Sequence, residues 1–143
     1  MNIIELTNII KDYAISLRAC NSVTEGDVHF NLNSNEIQYG NVNIYVESVT
    51  NEEYQSVYTV ILYYTDRLLQ DKSNSSRIYT DGFYTLQSII NYLNKQDYID
   101  IDEEVNYTPF EEQFADYLAG LYTQVDIRTI NNIGICNMDN YYE

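Results

Sequence analysis

The sequence predicts an α/β (α+β) fold in two layers, a mixed or antiparallel sheet of four to five strands with two helices packed on it. Three observations carry this expectation. Residues 57–64 form an unbroken β-branched and aromatic run, apolar on both alternating faces, which reads as a central strand covered on both sides. Residues 3–19 and 82–95 place apolar side chains at helical spacing. Residues 42–49 and 118–128 alternate apolar and polar side chains. Elements of this kind must cover each other's apolar faces. At 143 residues the chain has the length of one domain, 1–143, with 129–143 as a candidate C-terminal arm.

Taken in order, the first helix buries Leu6, Ile9, Ile10, Tyr13, Ala14 and Leu17, with Asn2 as its cap and Glu5 completing a capping-box-like pair. Val28, Phe30 and Leu32 alternate, which predicts a short strand with His29 on its other face. Residues 33–35 read as a turn. Residues 36–50 read as one long strand or a hairpin whose phase flips at Gly40-Asn41, where glycine suits a bulge or turn. A turn at 51–53 leads into the central strand and makes 42–49 antiparallel to 56–64.

Residues 65–76 are too many for a tight turn and are charged, then polar. Asp66 to Leu69 either continues the strand or begins a helical turn. The second helix is expected from Gly82 to Lys95, with Asp81 as its N-cap. Pro109 is expected to fix a turn before Phe110. In the last strand Leu121, Thr123, Val125 and Ile127 share one face, and Tyr122, Gln124, Asp126 and Arg128 the other. Gly120 marks a candidate bulge.

Composition narrows the function classes. Acidic residues number 22 and basic residues 7, a net charge of −15, which argues against a phosphate-binding surface. Such acidity keeps a protein soluble; it also suits a wall that repels DNA and lets it pass. The 16 tyrosines, beside no tryptophan, fit a large protein interface. Cys20 and Cys136 are far apart in sequence and read as reduced thiols. No apolar run is long enough to span a bilayer, and the N-terminus lacks the basic region of a secretory signal. In that setting the sequons at Asn74 and Asn106 are chance matches.

Catalytic and metal chemistry find little support. His29 is the only histidine and has no nucleophile or second ligand beside it. The acidic segment 97–112 fails as a calcium loop, because Val105 stands where glycine is required. There is no phosphate loop, dinucleotide fingerprint or nucleophile elbow. No enzyme activity, no cofactor and no metal are expected.

One family resemblance is carried by specific strings. "YTVILYYTDRLLQDKSNS" followed by "YTDGFYTLQSIINYL", with "YGNVNIYVESVT" before and "YTPFEEQFADYLAGLYTQVDIR" after, is similar to the small neck and tail ring proteins of crAss-like and related Bacteroides phages. The similarity spans about residues 35–128, and its motif is structural rather than catalytic. The resemblance implies a tail-terminator-like fold and a virion structural protein. It implies a head-to-tail connector or tail-terminator ring of twelve or six copies around the DNA channel. The implied neighbours are portal, neck or tail ring proteins. DNA would pass through the lumen without sequence-specific binding, and no membrane would be involved. The implied location is the virion neck or tail, with assembly in the host cytoplasm.

A ring needs two different patches per subunit. The expected contacts are Asp66, Arg67, Asp71 and Lys72 in the long loop, and Tyr122, Arg128, Tyr141 and Tyr142 on the opposite flank. The charged loop also reads as a solvated loop with weak ion pairs. Two other function classes compete with the ring: a small acidic phage-encoded binding module or DNA-mimic inhibitor, and a hydrolase built on Asp and Glu.

Overall fold

A computed structural model of the chain describes residues 1–32, 38–113 and 116–130, apart from the side chains of His29 and Phe30. The elements are α1 (Ile3–Ile15), β1 (Ser22–Glu25), α2 (Val28–Leu32), β2 (Asn41–Glu52), β3 (Gln55–Arg67), α3 (Ser75–Asn94), β4 (Ile99–Ile101), β5 (Thr108–Gln113) and β6 (Tyr117–Ile130). They build one six-stranded sheet in the order β1-β2-β3-β6-β4, with β5 also on β6. β1 joins β2 in parallel, and the other pairings are antiparallel. The fold is α+β as expected, with a sheet larger than four to five strands.

The central run does sit at the middle of the sheet, between β2 and β6. Its Tyr58, Val60, Leu62 and Tyr64 are buried, and they meet Leu6 and Ile10 of α1 and Leu86, Ile89 and Leu93 of α3. Burying each such aliphatic side chain contributes about 1.5–3 kcal/mol. Tyr13 of α1 stacks on Tyr92 of α3, with centroids 4.1 Å apart, and closes the helix layer. The alternate residues Val57, Thr59, Ile61 and Tyr63 are only half-buried, so among the described residues the strand is fully covered on one face and partly covered on the other.

Several local expectations need correction. Val28–Leu32 is a helical turn, not a strand. Its Val28 and Leu32 bury against Leu118 on the sheet face opposite α1 and α3. A period of two and a period of four both put residues 28 and 32 on one side, and packing chose the helix. The parallel strand Ser22–Glu25 was not expected. The phase flip lies at a bulge between Val46 and Ser48 rather than at Gly40. Gly40 instead lies against the Ala19 carbonyl, where an added Cβ would come within 2.2 Å.

The β2–β3 turn is Glu53-Tyr54, with Tyr54 at φ 65°. β3 continues through Asp66 to Arg67, which settles the open reading of that stretch. α3 begins at Ser75 rather than Gly82, because the buried stripe extends back through Gly82 to Ile78 with no breaker between. Asp81 is therefore mid-helix, where it pairs with Arg77 at 3.1 Å. Pro109 sits within β5, which among the described strands pairs with β6 alone and is an edge strand, the place in a sheet where proline is tolerated. Gly120 marks close backbone approach rather than a bulge. The β3–β6 register runs unbroken through Thr65↔Gly120, and a Cβ there would fall 1.7 Å from the Tyr64 carbonyl oxygen.

Candidate assembly surface

Among the described residues, the sheet face away from α1 and α3 is covered at one end only. There α2 is held by a polar network that begins in β1. The Asn43 side chain accepts from Thr24 Oγ1 and from Asn31 Nδ2, both at 2.7 Å, and donates to the Gly26 carbonyl at 2.9 Å. Asn41 donates to Ser22 Oγ at 2.9 Å. Both asparagines are fully buried, so their bonds fix the second layer's position as well as its stability. Among the described residues, the Thr65 hydroxyl is the buried side-chain group left without a partner.

Beyond α2 the face opens. Tyr63, Phe110 and Tyr122 form an aromatic triad with centroids 5.6–6.3 Å apart. Past them Ile61 registers with Gln124 on β6 and Tyr45 on β2, Thr59 with Asp126, and Val57 with Arg128. Thr59 donates to Asp126 at 2.8 Å, and Arg128 pairs with Asp102 at 2.9 Å. The result is a strip of half-buried rings and aliphatic side chains between charged margins, the composition of an interface core with a polar rim.

The long loop is shorter than its sequence implied. After β3 it spans 68–74 and is clamped by Asn74, whose side chain accepts from Leu69 N and donates to the Arg67 carbonyl, each at 3.0 Å. Asp71 accepts from Ser73 N at 3.0 Å, and that bond holds its carboxyl below the usual range. Arg67 pairs with Asp116 at 3.3 Å and lies 4.8 Å from the Tyr39 ring centre, while the Tyr39 hydroxyl donates to the same carboxylate. The hydroxyl bond from Tyr39, and then the Arg67 charge, hold Asp116 below its ordinary value. Lys72, at φ 59°, pairs with Glu111 at 3.0 Å and sits over Tyr117. Asp66 accepts from Arg67 N at 2.7 Å and meets Arg77 at 3.5 Å.

The predicted contact residues thus divide into three groups. Asp66, Arg67, Asp71 and Lys72 cluster at one end of the sheet, where their charges already have partners in the same chain. Tyr122 and Arg128 lie on the open face. Tyr141 and Tyr142 fall outside the described residues. Tyr39, Glu111 and Asp116 were missed as the loop's partners. Tyr39 and Asp116 are 77 positions apart, and no local pattern links them.

No protein-family model matches this chain, and no curated protein matches it.

Among the described residues, two grooves lie on the opposite side of the molecule, beside the helices. One, of about 610 Å³, lies between the end of α1 and α3 over Tyr64, flanked by Arg18 and by the Asp66–Arg77–Asp81 chain of ion pairs. The other, of about 520 Å³, is aromatic and runs between α3 and 105–107, past Phe83, Tyr84 and Tyr107. Among the described residues, no group of three or more His, Cys, Asp or Glu side chains is placed to hold a metal ion. Among the described residues, no helix is long and apolar enough to cross a membrane.

Proposed function

We propose that the chain is a structural subunit of a phage neck or tail, a head-to-tail connector or tail terminator, whose copies assemble as a ring around the DNA channel. The observation that carries this reading is the half-bare sheet face beyond α2, where Val57, Ile61 and Tyr122 lie half-buried and no helix among the described residues packs over them. The resemblance of residues 35–128 to neck and tail ring proteins supports it, and the strand–loop–helix unit bearing that resemblance is β3, 68–74 and α3. The loop's cations are held within the chain, so the open face is the better contact. Copies carrying −15 each repel one another, and assembly is therefore expected to strengthen as salt is raised.

The test is mass photometry of the purified chain and of Ile61→Asp, with circular dichroism as a folding control. Mass spectrometry of purified virions accompanies it. Rings of twelve or six copies that Ile61→Asp abolishes, with the spectrum unchanged, support the reading. Assembly untouched by Ile61→Asp rejects the open face. A chain that stays monomeric and is missing from virions rejects the ring and favours the acidic binding module.

A further inference from the structure

We propose that the free edge of β2 is a strand-addition site for an extended segment, bearing Lys or Arg, of another protein. The inference does not rest on ring assembly. β1 registers only with the first four residues of β2, Ser22–Glu25 against Asn41–Ile44, and Gly26 N adds a bond to the Ile44 carbonyl at 2.9 Å. From Tyr45 to Glu52, β2 pairs with β3 on one side, and no described strand lies on the other. Alternate residues of such an edge direct both N–H and C=O outward, so this stretch offers a row of backbone groups with no strand partner among the described residues. Extended peptides bind by completing such rows.

Some of the usual protections of an edge are lacking. Residues 45–52 contain no proline and no lysine, and the strand is long. The bulge between Val46 and Ser48 interrupts it once, and residues 48–52 then run in continuous register. Tyr45, Val49 and Tyr54 are 39%, 44% and 56% exposed, which gives an incoming strand apolar side chains to cover.

Charge selects the occupant. The β2–β3 hairpin carries Glu47, Glu52 and Glu53, and residues 41–60 contain no Lys or Arg. Among the described residues, a second copy could offer only edges that are themselves acidic, β4 with its Asp100 included. β5 carries Glu111 and Glu112, β1 carries Glu25, and the same β2 edge would set glutamate against glutamate. Like charges directly across a strand pair destabilise it. A basic segment of a different protein meets both requirements, backbone pairing and neutralised carboxylates.

The experiment uses three short synthetic peptides: one alternating valine and lysine, its glutamate counterpart, and the valine–lysine peptide with alternate backbone amides N-methylated. Affinity is read by calorimetry, and the location by amide hydrogen exchange on the full chain. The valine–lysine peptide is expected to bind at least about tenfold more tightly than its N-methylated form, because the latter loses several backbone bonds at unchanged charge. It is expected to slow exchange at residues 45–52. In the triple variant Glu47→Lys, Glu52→Lys, Glu53→Lys, preference should pass to the glutamate peptide. Equal binding of the N-methylated peptide would reduce the effect to general attraction by an acidic protein and overturn the proposal. Protection elsewhere, or none, would also overturn it, as would a preference unchanged by the triple variant.

Discussion

Replacing Asn43 by alanine tests whether the buried polar network, rather than apolar packing alone, holds α2 on the sheet. Asn43 is fully buried and makes three side-chain hydrogen bonds. Alanine removes all three, but the partners are not equally stranded. Thr24 keeps a bond to Asn41 Oδ1 at 3.3 Å, and Asn31 keeps one to the Glu25 carbonyl at 2.9 Å. The Gly26 carbonyl loses the Asn43 amide outright. At roughly 1 kcal/mol net for each bond, the expected loss is about 3 kcal/mol. In a domain of this size that lowers the melting temperature by roughly 6–12 °C. Urea denaturation gives the free energy, and hydrogen exchange shows where it is lost. Amides of Val28–Leu32 should exchange faster than those of α3. A loss below about 1 kcal/mol, or one spread evenly over the molecule, would refute the network as the anchor of α2.

Three further outcomes follow from particular contacts. Gly120→Ala should cost about 3 kcal/mol or more in urea denaturation, since the atoms its Cβ would meet are the backbone of β3; a near-neutral variant would deny that close approach. Asp116 titrates below its ordinary value in the fold, so the stability it contributes is present at neutral pH and lost as the pH falls below about 4. Tyr39→Phe removes the larger cause of that shift, so the Asp116 carboxyl resonance should titrate at higher pH in the variant. An unmoved titration would deny the contact. Burial raises the Cys20 thiol, whose Sγ lies 3.3 Å from the Ser22 carbonyl. In a Cys136→Ser background a thiol reagent should therefore react at least about tenfold more slowly with the native protein than with the urea-unfolded chain.

The sequence by itself determined what depends on local periodicity. Residues 57–64 are the central strand because nothing in them breaks or charges it, and 42–49 pairs beside it because the connection is short. The alternation of 118–128 assigned each β6 side chain to its correct face, and Asn2 capped α1 as its spacing to Glu5 implied, with Glu5 N donating to Asn2 Oδ1 at 2.8 Å. What only the tertiary structure decided depends on contacts between distant residues. Val28 and Leu32 fit two periods equally, and burial against Leu118 chose the helix. Ser75 to Asp81 lacked a long apolar stripe, yet docking of Ile78 on the sheet drew α3 forward by two turns. β4 and β5 are short and rich in acidic residues, and they are strands because the edge of β6 offers them hydrogen bonds. The candidate contacts divide in the same way. The sequence located the charges of the loop, but not their partners, because the chain alone does not show that Arg67 folds back to Asp116 and Lys72 to Glu111. Nor could it show which stretch of β2 has no described strand on its outer side, since an edge exists only once every other strand has taken its place.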